Sequence, residues 1–207
     1  TSNNTTSNPG GGIYLRSSSN NTKSTNTETS SNYRIYLTSS SNKSLCGNLA
    51  YSIKMGIALF MSSNNNIVRN NSVNFDSTGI YLYSSSNNVI SNNNINSNDT
   101  GIDLDSSWNN AVVQNDVKSN TYYQIYINGT SFTDTLMKNN IKTSGTNPDS
   151  GIFNNTGNVF DFTRNWWDTT DEFRIDQMIY DTASTKKITF RPYRLGTIDT
   201  TSGGDST

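Results

Sequence analysis

Asp103 and Asp105 stand two residues apart in the segment Gly-Ile-Asp-Leu-Asp that begins at Gly101, with tyrosines recurring on either side. In an extended segment such residues point the same way, with Cα atoms about 6.5–7 Å apart. Carboxylates paired at that separation would act as general acid and base in glycoside hydrolysis, flanked by Tyr81, Tyr83 and Tyr126 as flat platforms for sugar rings. Alternatively the pair would hold a Ca²⁺ that neutralises an acidic sugar, with Arg or Lys as the base of an eliminative cleavage. Two plainer readings stay open. The aspartates and tyrosines decorate a solvated strand, or the aromatic row is a contact between copies of the chain.

Other chemistries have little material. With no histidine in 207 residues, imidazole triads and histidine-bearing metal sites are excluded. The single Cys46 excludes an intrachain disulfide and leaves the compartment open. Net charge is −1 with 15 basic residues, which gives no footprint for nucleic acid. No run of about 18 apolar residues exists to span a membrane.

What must position the aspartates is a repeat. The phrase GIYLYSSSNN at Gly79 recurs at Gly12, Arg34, Gly56, Gly101, Gln124 and, more worn, Gly151, in steps of 22, 22, 23, 22, 23 and 27 residues. Self-similarity at such a period is the mark of a solenoid. The opening of each copy alternates: Ile13, Ile35, Ile57, Ile80, Ile102, Ile125 and Ile152 form one column, and Leu15, Leu37, Leu59, Leu82, Leu104 and Ile127 another. Alternation of period two predicts a strand with these columns inward, stacked in parallel on the strand of the previous coil. The outward columns then read Tyr14, Tyr36, Ala58, Tyr81, Asp103, Tyr126, Phe153 and Arg16, Thr38, Phe60, Tyr83, Asp105, Asn128. This face is aromatic, with one acidic coil in its middle. Tyr36 and Phe60 extend the binding platform on it.

The second half of each coil places an aliphatic residue, an Asn and another apolar residue at offsets of three and five, as in Ile90, Asn93 and Ile95. Asn48, Asn71, Asn93, Asn115, Asn139 and Asn165 are predicted to stack as an inward ladder that satisfies its own amides. The Ser-Ser-Asn-Asn runs between the halves read as turns. No apolar period of 3.6 supports two helices per repeat, and no outward column of Thr pairs supports ice binding.

Leu, Ile, Val and Phe make up 41 of 207 residues, close to the level of disordered chains, but periodicity and near-zero charge outweigh composition. Residues 1–11 read as the end of a preceding coil, 12–165 as the solenoid, 166–196 as a cap and 197–207 as a linker, with more chain expected on both sides. The insertion from Lys142 to Ser150 accounts for the 27-residue step and is expected on a binding face. All 34 Asn fall by residue 165. Beyond it, residues 168–181 predict a helix with Ile175, Met178 and Ile179 as its apolar stripe, followed by a strand in KKITFRPYR. This segment and the Trp166-Trp167 pair would close the last coil.

Repeats of the form G-I-Y-L-x-x-S-S-N-N-x-I-x-x-N-x-I, closed by Asn165-Trp166-Trp167 and an I-D-x-x-I-Y-D stretch, resemble the right-handed parallel β-helix proteins. More narrowly, they resemble the NosD-like, carbohydrate-binding and sugar-hydrolase branch common in surface proteins of methanogenic archaea. The archaeal disaggregatases, which act on matrix polysaccharide, have a similar repeat style. The resemblance covers Gly12 to Leu195 and implies an all-β right-handed solenoid at the cell surface that meets polysaccharide, with catalytic carboxylates on the stacked face. If the chain is an enzyme, it would be a glycoside hydrolase or polysaccharide lyase. Asp168 departs from the glycine usual after Asn-Trp-Trp. Copper maturation fits poorly, because no His, four Met and one Cys leave few soft ligands. The eight Asn-x-Ser/Thr sequons suit a glycosylated surface protein, although several arise by chance in so Asn-rich a chain. No cofactor is expected beyond the Ca²⁺ of the eliminative reading, and the tyrosine face would also suit a homo-oligomer.

Overall fold

The computed structural model describes residues 4–6, 12–20, 22–25, 27–29, 33–51, 54–143, 151–182, 187–198 and 200. The expected partial coil at 1–11, the insertion loop at 144–150 and the linker after 200 lie wholly or mostly outside the described residues. The rest is a right-handed parallel β-helix. Eight strands stack in the first sheet, beginning with Ile13–Arg16 and ending with Ile179–Asp181. A second sheet of eight contains Val89–Ser91, and a third of seven contains Asn94–Asn96. All pairings between coils are parallel and in register, so that Ile80 lies between Ile57 and Ile102, and Tyr81 between Ala58 and Asp103.

The inward columns build one continuous core. Ile80, Leu82, Ile90 and Ile95 of the central coil are fully buried, as are their counterparts in the coils on either side. At about 1.5–3 kcal/mol per buried aliphatic side chain, these columns offset the cost of ordering a very polar chain.

The corners explain the polarity. A 22-residue coil must turn sharply several times, and in the central coil Ser84, Asn87, Asn92 and Ser97 do so with φ of 47°, 57°, 55° and 57°. Asn reaches this left-handed region at low cost. Each of these residues is followed by a buried polar one: Ser85, Asn88, Asn93 and Asn98. Where the chain turns, the backbone N–H no longer meets a carbonyl of the next coil. It donates instead to the side chain that occupies the same corner there. Asn93 N donates to Asn115 Oδ1 at 3.0 Å, Asn88 N to Asn110 Oδ1 at 2.9 Å, Asn98 N to Asn120 Oδ1 at 2.9 Å and Ser85 N to Ser107 Oγ at 3.1 Å. Four polar ladders therefore run through the solenoid. The expected one, from Asn48 to Asn165, is continuous. The other three lie in stretches that read only as turns.

The ladder through Asn88 ends on Asp134, whose Oδ1 accepts from Asn110 N and Nδ2 at 2.7 and 3.0 Å. Its other oxygen is buried without a hydrogen-bond partner, and burial pushes the carboxyl up to about 7 despite those two bonds.

Gly79, the second residue of the strand Thr78–Tyr83 in the central coil, has no room for a side chain, since a Cβ there would meet the Gly101 carbonyl oxygen at 2.6 Å and Ile95 Cγ2 at 2.9 Å. In this column Gln124 replaces glycine, and its buried amide folds back to close the Asn98–Asn120 ladder. At the C-terminal end the expected helix is shorter than predicted. It spans Glu172–Gln177, capped by Asp171, and the chain then returns to strand at Ile179–Asp181, which pairs with Ile152–Asn154. Met178-Ile179-Tyr180-Asp181 is thus an eighth copy of the opening phrase, and sheet pairing overrides the helical stripe. Ile188–Thr189 pairs with Phe160–Asp161. Asp168, at the position where the resembling proteins have glycine, keeps the left-handed turn with φ 58°.

Two outcomes follow. Asn93→Leu, which leaves the buried amides of Asn71 without their acceptor, is expected to lower stability by about 1–3 kcal/mol for each group orphaned, and Asn94→Leu, at an exposed strand position, by less than about 0.5 kcal/mol. Equal denaturation midpoints would contradict the ladder. For Asp134 the folded carboxyl holds its proton more tightly than the unfolded one, so stability is greatest below about pH 4 and declines as pH rises through 7. Asp134→Asn is expected to raise Tm by a few degrees at pH 8, with little gain at pH 4, in paired thermal melts.

Candidate functional site

The outward face of the first sheet carries all seven residues singled out in the sequence. Tyr36, Phe60, Tyr81, Tyr83, Asp103, Asp105 and Tyr126 are half-buried rather than freely solvated. The rings pack on one another along the axis. Tyr14 stacks on Tyr36 with centroids 5.1 Å apart and 3° between planes, Tyr36 meets Phe60 at 5.0 Å, and Phe60 meets Tyr81 and Tyr83 at 5.2 and 5.6 Å. Beneath them Ala58, the small residue of its column, is fully buried. A second run begins beyond the acidic coil, where Tyr126 stacks on Phe153 at 5.2 Å and Phe153 meets Tyr180 at 4.9 Å edge-on.

Asp103 and Asp105 fill the gap between the two runs. The register places Asp103 directly between Tyr81 and Tyr126, one strand away on each side, and Asp105 between Tyr83 and Asn128. Their environments differ. Asp105 is held by two donors, the Tyr81 hydroxyl at 3.2 Å on Oδ2 and the Ser106 hydroxyl at 2.8 Å on Oδ1. Asp103 Oδ1 is buried among the rings with no hydrogen-bond partner. Burial, assisted by the neighbouring Asp105 charge, pushes the Asp103 carboxyl up to about 7. Burial and the two aspartates likewise push the Tyr81 hydroxyl up, so it stays a donor. The pair therefore combines an acid that retains its proton near neutrality with a carboxylate whose oxygens are oriented by hydroxyls, the kind of asymmetry that separates acid and base roles.

Sequence reasoning missed four participants. Tyr123 lies in a third outward column, two residues before Ile125, and packs on Tyr126 and Phe153 at 5.4 and 5.1 Å. Strict alternation hides it, because Tyr123 shares the parity of the inward Ile125, and the consecutive buried residues Gln124 and Ile125 break the alternation at this point. Phe153 was placed in its column but not in the site, and Tyr180 was hidden inside the overlong helix. Nothing local marks Ser106 as a partner of Asp105.

A divalent cation would find only two carboxylates here. Ca²⁺ takes six to eight oxygens, and among the described residues no group of three acidic, Cys or His side chains gathers at any point.

Among solved structures, the chain is similar to a double mutant of the periplasmic alginate epimerase AlgG, at 18% identity and TM-score 0.62 over 88% of this chain and 45% of that one. It is similar to the A-module of the Azotobacter vinelandii mannuronan C-5 epimerase AlgE6, at 11% identity and TM-score 0.61 over 88% of this chain and 57% of that one. An alginate lyase from Paenibacillus sp. str. FPU-7 superposes at 13% identity and TM-score 0.58, covering 92% and 76%. At these identities the likeness is one of fold, and the chain spans less than half the length of the AlgG epimerase. None of the curated proteins compared matches the sequence.

The family model described as periplasmic copper-binding protein (NosD) matches residues 1–175. The donor set of this chain does not fit copper. Cys46 lies on a strand beside Arg69, Met55 opens the strand that ends at Phe60 and Met61 follows it, Met137 lies on another sheet and Met178 in the cap, and there is no imidazole to join them. The match rests on the coils, and through them the chain belongs to the NosD family.

Proposed function

We propose that the first sheet's outer face binds polysaccharide and that Asp103 and Asp105 cleave a glycosidic bond held across it. One observation carries the reading: a continuous aromatic stack is interrupted at a single coil, and that coil alone puts two carboxylates where the rings are missing. Sugar rings resting on Tyr81 and on Tyr126 would bring the linkage between them over Asp103. A buried, protonated carboxyl is suited to donate to the departing glycosidic oxygen, and Asp105 to accept a proton from water or to attack the anomeric carbon. The solved structures of similar fold include proteins whose titles name alginate epimerase and alginate lyase, which supports a polysaccharide as partner. We place the protein outside the cytoplasm, at the envelope or cell surface, in keeping with the family's periplasmic description.

The face also suits contact with another copy of the chain, since Tyr14 and Tyr180 at its two ends are each 56% exposed. Affinity electrophoresis in polysaccharide gels separates the readings. Saturable retardation is expected, reduced about tenfold or more in a Tyr81→Ala, Tyr126→Ala variant. Unchanged glycan behaviour, with loss of an oligomer on size-exclusion chromatography, would support the contact surface instead.

Catalysis carries its own signature. Because Asp103 must hold its proton, release of reducing ends is expected to fall as pH rises through about 7, and Asp103→Asn to cost roughly 10²–10⁴-fold. Full activity in an Asp103→Asn, Asp105→Asn variant would remove both residues from the mechanism.

A further inference from the structure

The charge distribution around the aspartate coil restricts what kind of polysaccharide can lie on it. Among the described residues, the strands of the first sheet carry two cations, Arg16 on the first strand and Arg34 on the second, and the second strand lies three strand steps, about 14 Å, from the aspartate coil. Arg16, Thr38, Phe60, Tyr83 and Asp105 follow one another in register, so four strand steps, about 19 Å, separate Arg16 from Asp105. That is twice the screening length in physiological salt. In the turn leading into the sheet, the nearest cation is Lys54, two coils back, and the aspartate coil itself carries the exposed Asp99 in that column. The other groups packed against the pair are uncharged: the rings of Tyr81, Tyr83 and Tyr126, the hydroxyl of Ser106 and, one strand from Asp105, Asn128.

Resting on the polysaccharide reading above, we propose that this face takes an uncharged glycan, a chain of neutral sugar units, and discriminates against polyuronates. A uronate carboxylate placed over the coil would meet the Asp105 charge, joined by that of Asp103 as pH rises through about 7, with no cation within a screening length to pair with it, and like charges brought together at an interface are strongly unfavourable. A neutral sugar offers hydroxyl donors to the same aspartate oxygens, and Asp103 Oδ1 has no other partner. The rings supply apolar faces for the sugar C–H surfaces, an interaction that needs no charge. The similarity in fold to alginate-acting proteins therefore does not extend to an alginate-like ligand.

The test uses matched polymers that differ only in the C6 carboxylate: mannan and polymannuronate, glucan and polyglucuronate, galactan and polygalacturonate. Oligosaccharides of each are titrated calorimetrically into the intact protein at low and high salt, with and without added Ca²⁺. In the pair that binds, the neutral member is expected to bind about tenfold or more tightly than its uronate, with the gap narrowing as salt rises and narrowing again in the Asp103→Asn, Asp105→Asn variant. Equal or tighter binding of a uronate, with or without Ca²⁺, would overturn the inference and leave polysaccharide recognition standing. Absence of binding by both members of every pair would overturn the recognition reading, and the inference with it.

Discussion

Each corner of this solenoid must dispose of a backbone N–H that the neighbouring strand cannot take, and the rest of the structure follows from how it does so. A left-handed residue turns the chain, the next residue points inward, and its side chain accepts the N–H of the coil before it. The rule holds at all four corners of the coils that begin at Gly79 and Gly101, and it constrains the length of the coil, because strands between corners must end where the inward side chain is due. It also explains an amino-acid usage that would otherwise suggest a disordered chain. Asn serves both roles at a corner, as the left-handed residue and as the inward donor and acceptor, so Asn-Asn is the commonest way to write one. A buried amide would be costly alone, and the ladder makes each one the partner of the next.

The face that carries the candidate chemistry is a by-product of that regularity. Strands held in register place side chains of successive coils about one strand spacing apart, close enough for rings to stack without a pocket to enclose them. A substitution in one coil is therefore felt by two neighbours. At Asp103 the neighbours are rings that exclude water and a carboxylate that adds repulsion, and the proton is retained. The state of Asp103 thus belongs to three coils, not to one residue.

Much of this was legible in the sequence because the fold is periodic. The aliphatic columns, the Asn93 ladder and the aromatic face with its two aspartates all followed from reading offsets within a repeat. The Ser85, Asn88 and Asn98 ladders were not legible, since their residues sit in Ser/Asn runs where an inward side chain and a solvated turn have the same composition. The helix was predicted too long because Ile175, Met178 and Ile179 fit a helical stripe as well as they fit a helix followed by a strand. Only the open edge of the last coil decides for the strand. For the candidate site, the shared face of the seven residues was readable, but Tyr123, Tyr180 and Ser106 were not, and the half-burial of the rings and the unequal surroundings of Asp103 and Asp105 depend on packing between coils that no single repeat encodes.

The central claim is that function sits in the one coil that breaks the aromatic stack. A crystal structure of the protein soaked with a bound oligosaccharide tests it most directly. The account predicts sugar density lying along the first sheet, with rings over Tyr81 and Tyr126 and the linkage between them facing Asp103 and Asp105. Density on another face, or this face sealed against a second copy with no sugar on it, would contradict it.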